Sequence, residues 1–597
     1  MKFYLRNFLL ILLIAFGSIF GWLIFISNSN PTKNPSFIAN TIYPIARKLI
    51  IQNKTETLSN DLIVASPVEQ LSVANSKNVD SFTEFKSVSK SRRIRNITCK
   101  INGEYKINCL KLINSKETSV YIPFSFIHKY FEIGGKIVNP KSRDEYFEWN
   151  HSYSKIFYPD QPYDPANLFL WFGNYNVEFR DRVKCISAID NVPISTQWFP
   201  AGHLYPTQIC QYGLSHFNKN LTSPPSERIQ LINDGIVSNL NVDLNFVPDS
   251  GKKYLIVKDT QLNLKHNHTN YLIGQLDLKL EGNASITFVM FHIPTQQLSY
   301  VVYSTIDKVF VLQPEDNRIT YGLGSKASQK HGWFRLTRDL LVDLFKGNSI
   351  SDRKRNNYHV LNIQINGTVH IQNLSLKTSA HEEFAMAAGD WLIRNQNTQG
   401  GWRIQVDRKL SKGLLIIKKG WHSAMAQGHA ISLLTRLYRA TNNTKYLESA
   451  KKALNIFEIE SYKNGVKAIL FDKYIWYEEY PTVPSIFVLN GFIYSLFGLY
   501  DLSKACQDNI CQKSGQFYDE GIRSLESALS IYDSGSGSFY DLRHLSLGIA
   551  PNIARWDYHS THINQLLYLY TITRNDLFKT VADRWIAYMK GHRASHN

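Results

Sequence analysis

The hydrophobic period of this 597-residue chain changes once, at Ser379. Upstream, short β-branched and aromatic runs alternate or stay apolar between Gly, Pro, Asn and Asp, the pattern of strands and hairpins. Downstream, Phe384, Ala388, Trp391 and Leu392 recur at helical spacing. Such a chain must build sheet-based layers first and helix-based layers after them. The helical part opens at Ser379-x-x-Glu382, which reads as a capping box. Further helices are expected at Ser423–Ala440, Lys445–Ile459, Pro484–Ser503, Gln516–Ile531, Thr561–Thr571 and Asp576–Lys590. The loops between them (QGGWRI, FDKYIWYEEYP, DSGSGSFYDLRH, RWDYHS) are rich in Gly, aromatics and charge. Helical hairpins with functional loops on one rim describe an (α/α) barrel over 378–597. Runs such as LIVKDTQLNL, SITFVMFHI and SYVVYSTI predict a β-sandwich over 226–377, and 91–225 reads as an N-terminal β-hairpin domain.

The amino terminus sets the expected compartment. Phe8–Ile26 is apolar, uncharged and about long enough to span a bilayer as one helix. Lys2 and Arg6 precede it, so residues 1–7 are expected to stay in the cytosol and the rest to face the lumen. A cleaved signal peptide fits less well, because the run is long and Ile24–Phe25–Ile26 is a poor cleavage site. Residues 27–90, rich in Ser, Asn, Thr and Pro, read as a stalk. Nine Asn-X-Ser/Thr sequons, at Asn53, Asn96, Asn150, Asn220, Asn267, Asn283, Asn366, Asn373 and Asn442, agree with a luminal glycoprotein. Six cysteines are too few for a disulfide scaffold. Cys99 and Cys109 are spaced to clip a hairpin and Cys506 and Cys511 a loop, whereas Cys185 and Cys210 either pair or stay buried. With no CxxC, zinc and thiol redox chemistry are not expected.

The formal charge of +18 implies a polyanionic partner. A luminal protein seldom meets nucleic acid, so a sulfated polysaccharide is the expected partner. Basic clusters at Lys86–Arg95 and Arg353–Arg355 favour this over simple solubility.

The densest chemistry lies in Tyr474–Pro481 and Tyr540–Gln565. No GxGxxG opens a βαβ unit, and P-loop, HExxH and GxSxG motifs are absent from the sequence. Side-chain acid–base chemistry remains. A glycoside hydrolase would need a carboxylate pair, for which Glu478 with Glu479, or Asp541 with Asp557, are the candidates. The tyrosines outnumber the carboxylates, and a group with an ordinary pKa near 10 suits abstraction of a weakly acidic carbon-bound proton. An epimerase or a polysaccharide lyase is therefore the better reading. A non-catalytic heparin-binding protein is the further alternative. His544, His559 and His562 are alternative bases, each more readily read as a loop-ordering hydrogen bonder.

The segments WYEEYPTVPSIFVLNGF, GSGSFYDLRHLSLGIAPNIARWDYHSTHINQL, WHSAMAQGHAISLL, YNVEFRDRVKCIS and STQWFPAGHLYPTQICQYGLSH carry a resemblance. Over roughly 90–597 the chain resembles the heparosan-N-sulfate-glucuronate 5-epimerases, the D-glucuronyl C5-epimerases of heparan sulfate and heparin synthesis. The resemblance implies a single-pass type II Golgi membrane protein and homodimer that turns D-glucuronate into L-iduronate in N-sulfated heparosan without a redox cofactor. It implies catalytic roles for Glu479, Tyr480, Tyr540 and Tyr558. It implies substrate contacts at Tyr175, Arg180, Asp181, Arg182, Gln197, Tyr205, Gln208, Gln211, Lys409, Leu410, Ser411, Lys412, Asn490, Tyr494 and Arg543. The segment Asn552–Thr561 adds Asn552, Arg555, Trp556, His559 and Thr561. The family can also carry a structural calcium next to an Asp before an Asn-Leu-Ser/Thr sequon. That position is Gln372 here, so calcium is left unassigned. On mechanism, Glu479 and Tyr558 are expected on opposite faces of the sugar, with Arg543 and a tyrosine hydroxyl neutralising its carboxylate.

Overall fold

The computed structural model describes residues 93–101, 105–113, 118–124, 133–138, 145–151, 155–241, 253–324, 333–347 and 352–595. The expected membrane span Phe8–Ile26, the stalk and Asn53 lie outside the described residues, among which no helix is long and apolar enough to cross a membrane. Residues up to Ile122 form one compact unit and those from Pro123 another. In the first, strands Arg93–Ile101, Tyr105–Ile113 and Thr118–Tyr121 make an antiparallel sheet, and a disulfide joins Cys99 to Cys109 across its first hairpin.

The second unit holds a sandwich and a helical region. In the sandwich, strand Tyr358–Lys377 runs for 20 residues and pairs with four others. Register shifts opposite Val289/Met290 and Asp277/Leu278 interrupt its pairing within a single 11-stranded hydrogen-bonded sheet. Its core is mainly aliphatic, from Leu231 and Leu276 to Ile363 and Leu374, with Phe288, Tyr303 and Tyr321 among them. Asn373, an expected glycosylation position, is half-buried and donates its side-chain amide to Asp277 at 2.9 Å.

The longer helices among the described residues are α1 (Pro206–Thr222), α2 (Leu340–Gly347), α3 (His381–Asn395), α4 (Ala424–Thr441), α5 (Thr444–Ala453), α6 (Leu489–Ser503), α7 (Asn509–Ala528), α8 (Trp556–Thr573) and α9 (Asp576–Met589). Helices α1, α4, α6 and α8 are successive neighbours, backed respectively by α3, α5, α7 and α9. The crossing of α4 and α6 depends on small residues. A Cβ at Gly498 would meet the Gly428 carbonyl oxygen at 2.4 Å.

Several boundaries differ from expectation. The capping box does not form: Ala380 is the N-cap of α3 and makes no side-chain cap. The Ser379 carbonyl instead accepts from Ser226 Oγ at 2.6 Å, joining strand and helix entry. Residues 484–488 lie outside the helix before α6, and α7 starts at Asn509 because Asp508 caps it through the amides of Ile510 and Cys511. Cys506 and Cys511 are bonded beside this cap, while Cys185 and Cys210 are free and buried.

The largest departure is in 155–225, expected as part of a β-hairpin domain. Part of it is hairpin, with strands Val183–Ile186, Pro193–Ser195 and His203–Leu204 forming a small sheet. The rest belongs to the helical region. Tyr163, Phe169, Phe172, Ile209 and Phe217 share one core with Leu433, Phe497 and Leu566. A fully buried ion pair fastens this segment: Arg436 on α4 meets Asp501 on α6 at 2.6 Å. The Tyr163 hydroxyl donates to Asp501 at 2.8 Å, and Arg436 Nε donates to the Asn167 carbonyl at 2.9 Å. A second buried pair, Arg338–Asp343 at 2.6 Å, carries donors to the carbonyls of Ile186 and Ser187, tying the sandwich to the same segment.

Candidate active site

Glu479 and Tyr480 come directly after strand Tyr474–Tyr477 and Glu478; that strand pairs with Lys467–Leu470. Successive residues of an extended chain face opposite ways, and the two glutamates separate accordingly. Glu478 is wholly buried and accepts the Phe487 amide at 3.2 Å. Glu479 lies against α6, whose Gly491 leaves it room: a Cβ there would sit 2.5 Å from both Cβ and Oε2 of Glu479. Burial pushes the Glu479 carboxyl up to about 7, opposed by the Tyr480 hydroxyl, the Arg408 charge and the Tyr540 hydroxyl. Glu478 is pushed up to about 8 by the same desolvation.

Four tyrosines surround Glu479. Tyr205 is the N-cap of α1, ahead of Pro206 at its first position. Tyr480 packs on Trp421 and Trp198, with ring centroids 5.9 and 6.3 Å away. Tyr540 comes from strand Phe539–Asp541, held by its pairing with Asn552–Ile553. Tyr558 sits in the first turn of α8, its ring edge-on to Tyr540 at 4.7 Å. Burial raises the pKa of all four, and the Glu479 charge raises it further. All four are therefore neutral hydroxyl donors at neutral pH. The N-terminal ends of α1, α6 and α8 supply Tyr205, Asn490 and Tyr558, so positive dipole ends converge on this rim.

The expected substrate contacts divide by environment. Tyr175 is hydrogen-bonded to Tyr494 of α6, and Arg180 lies 4.8 Å over the Tyr175 ring while donating to Gln211 at 3.0 Å. Gln208 and Asn490 are buried, and their side-chain oxygens accept no hydrogen bond within the protein. Asp181, Arg182, Lys409, Lys412, Arg555 and Trp556 are exposed, and Gln197 and Ser411 are half-buried. Leu410 is a core residue. His559 is buried and bonded to Ser538 Oγ at 2.8 Å and to the Trp585 carbonyl at 3.1 Å, and Thr561 donates to the Asp557 carbonyl. Leu410 and His559 are thus buried and Thr561 is half-buried, each engaged within the protein. His562 also bonds Ser538, so it and His559 order the loop; burial holds both below the ordinary histidine pKa.

Arg543 is held by its neighbour Asp541. Its Nε donates to buried Asp541 at 2.7 and 3.0 Å and its Nη2 also reaches that carboxylate, to which Asn552 adds a bond at 2.8 Å. Asp557 is paired with Arg555 at 2.8 Å. Glu478, Asp541 and Asp557 thus each have a structural partner, and no second carboxylate among them is left to work with Glu479 as a hydrolase pair. Sequence reasoning missed Arg408, Trp198 and Trp421, which wall the site. Arg408 directly precedes the expected Lys409–Lys412 run, and both tryptophans lie inside motifs that carry the resemblance, yet nothing in their spacing marks them.

Among the described residues, one group has metal-ligand proximity: Cys506, Asp508 and Cys511. Its cysteines are disulfide-bonded and its Asp caps α7. At the position of the family's calcium-linked Asp, Gln372 instead donates Nε2 to Asp234 Oδ1 at 3.1 Å.

Two family models match the chain, one described as D-glucuronyl C5-epimerase C-terminus over residues 396–587 and one as D-glucuronyl C5-epimerase, beta-sandwich domain over 253–369. A D-glucuronyl C5-epimerase of Caenorhabditis elegans is 36% identical over 580 aligned residues, covering 86% of this chain and 93% of that one. An uncharacterized protein of Methanocaldococcus jannaschii is 30% identical over 28% of this chain and 53% of its own length. A Bacillus rhamnosidase of family GH78 aligns at a TM-score of 0.18 and 11% identity, covering 59% of this chain and 44% of that one.

Proposed function

The chain belongs to the D-glucuronyl C5-epimerase family, and from that premise we propose that the tyrosine-lined rim around Glu479 inverts C5 of glucuronate within N-sulfated heparosan. The observation that carries the site assignment is one buried carboxyl, pushed up to about 7, ringed by neutral hydroxyls. A base with that pKa is ionised often enough to act near neutral pH and holds the proton well enough to return it.

Glu479 takes the C5 hydrogen as a proton. The C5–H electron pair moves into the uronate carboxylate as an enediolate, whose added charge the surrounding hydroxyl donors stabilise. Tyr558 gives its phenolic proton to C5 from the opposite face, which creates the L-ido configuration. Tyr540 bears on Glu479 by its hydroxyl and on Tyr558 by its ring. It passes the proton from Glu479 to the Tyr558 phenolate, restoring both groups. Tyr480, fixed between Trp198 and Trp421, donates to Glu479. The step needs no redox cofactor, since no electrons leave the sugar. The helix pairs described above read as the expected (α/α) barrel, with the reacting residues on one rim.

The protein is further proposed to be a Golgi type II glycoprotein, anchored through Phe8–Ile26 and acting as a homodimer. Support comes from the apolar run, its basic flank and the exposed sequons Asn96, Asn220, Asn267, Asn283, Asn366 and Asn442. Incubation with N-sulfated heparosan in deuterated water tests the reaction. Deuterium at C5 with L-iduronate in an intact chain supports it. An ultraviolet-absorbing unsaturated uronate and shortened chains would mean a lyase, and binding without exchange a carbohydrate-binding protein.

A further inference from the structure

Arg408 is placed unlike the other arginines expected near Glu479. Arg543 is held bidentately by Asp541, which is wholly buried, so that pair is already neutral as a unit. Arg555 is paired with Asp557, Arg180 is stacked on Tyr175 beyond Tyr494, and Arg182 is exposed. The Arg408 guanidinium lies 4.5 Å over the Trp198 ring and 5.3 Å over the Tyr480 ring. It makes no ion pair among the described residues, and its Nε is buried without a hydrogen-bond partner. Its charge reaches Glu479, Tyr205 and Tyr480. The platform beneath it is rigid. Trp198 holds a φ of 66°, a region bulky residues avoid unless surrounding structure enforces it. Its ring is wedged against Tyr205 at 5.3 Å and Trp421 at 6.2 Å. Strand Arg408–Leu410, paired with Leu415–Ile417, fixes the backbone.

We infer that Arg408 binds the carboxylate of the reacting uronate and is the residue that makes the site specific for uronic acids. This rests on the epimerase reading above and supplies what that reading leaves open, a cation at the group where the negative charge grows. A planar guanidinium held over the Trp198 and Tyr480 rings is pre-aligned for a two-point grip on a carboxylate, with little entropy left to lose. A desolvated donor without a partner is completed by such a ligand and left unmet by a neutral sugar, which is how polar sites reject analogues. Engaging the substrate also draws the Arg408 charge away from Glu479, making that residue a stronger base when C5 is in place.

The test compares a hexasaccharide of N-sulfated heparosan with the same hexasaccharide carboxyl-reduced at its uronates. Binding and C5 exchange are measured for the wild type, Arg408→Gln, Arg408→Lys and Arg543→Gln. Wild type should bind the uronate form at least tenfold more tightly than the reduced form. Arg408→Gln should bind both alike and lose about 10²–10³ in kcat/KM for exchange, the usual effect of removing one charge-stabilising donor. Its rising pH–rate limb should also move to higher pH, because the cation opposing Glu479 protonation is gone. Arg408→Lys should recover part of the discrimination, and Arg543→Gln should keep it. If folded Arg408→Gln with a wild-type melting temperature still discriminates like wild type, or if folded Arg543→Gln loses the discrimination, the inference is overturned. Absence of exchange by the wild type would instead overturn the epimerase reading, and the role of Arg408 with it.

Discussion

Replacing Glu479 by Gln removes the proton acceptor while keeping a carbonyl for Tyr480 and Tyr540 to face. Exchange at C5 should fall by about 10²–10⁴, the ordinary span for loss of a positioned acid or base, with hexasaccharide binding retained. Deuterium incorporation and calorimetric binding on the purified variant check this, and near-normal exchange would remove Glu479 from the mechanism. Tyr558→Phe should behave alike. Since Glu479 must be ionised to act and its pKa is held up to about 7, the rate should climb through that pH and level off above it. Gly491→Ala probes the same carboxylate by volume. The new methyl would lie 2.5 Å from Glu479, so the carboxylate or the start of α6 must shift. Overpacking of this kind costs about 1–3 kcal/mol. A fall in kcat larger than the fall in melting temperature suggests would show that the Glu479 position is under tight control.

Strand Tyr474–Tyr477 delivers neighbouring glutamates to opposite sides, and only one of them faces the tyrosines. Glu478 holds its proton up to about pH 8 in the folded protein and releases it near the ordinary 4.5 when unfolded. Between those values the native state binds more protons, so this residue makes stability fall as pH rises from 4.5 toward 8. Glu478→Gln keeps the acceptor for the Phe487 amide and removes the titration. The drop in melting temperature between pH 5 and pH 8 should shrink, by an amount worth on the order of 1–3 kcal/mol. An unchanged drop would mean that the site relaxes to admit water. Sequence pattern announced the periods of α4, α6 and α9 well, because amphipathic helices are written locally, whereas Tyr474–Tyr477, expected within a loop, pairs as a strand with Lys467–Leu470. It mistook 206–222 for hairpin. Helix α1 is buried along most of its faces, so its residues show little amphipathic stripe. Nor did it show that Arg543, expected to meet the sugar carboxylate, is paired with Asp541 two residues away. The cage around Arg408 was illegible for a different reason: its aromatics come from residues 198, 421 and 480, which only tertiary folding brings together.

At the scale of the whole molecule, a polyanionic chain should be bound through Arg180, Arg182 and Arg408 while Arg543 stays paired with Asp541. Affinity for N-sulfated heparosan should therefore weaken steeply with salt, as counterions are displaced on binding. The Arg543→Gln variant should keep nearly the same slope of log K against log salt, and Arg182→Gln should flatten it. A protein beginning at Ser91 should be secreted and active, since the composition of 27–90 transmits little structure to the domains beyond it. Failure of such a protein to epimerise while folded would implicate the anchor or stalk. The core shared by residues 163–217 and α4 to α8 also dictates an order of events during biosynthesis. Tyr163 must find Asp501, and Asn167 must find Arg436, across a stretch that includes the entire sandwich. A ribosome adding about 5–20 residues per second needs tens of seconds to cross it. For that interval α1 is made but its partners do not exist, and its apolar surface has no native place to go. The sandwich can close on itself in the meantime, so it becomes the first stable piece, an insert completed before its host. Nascent chains arrested before Gly491 should accordingly show a protease-resistant sandwich and continued chaperone association of 155–225, with the site appearing only once α8 has emerged.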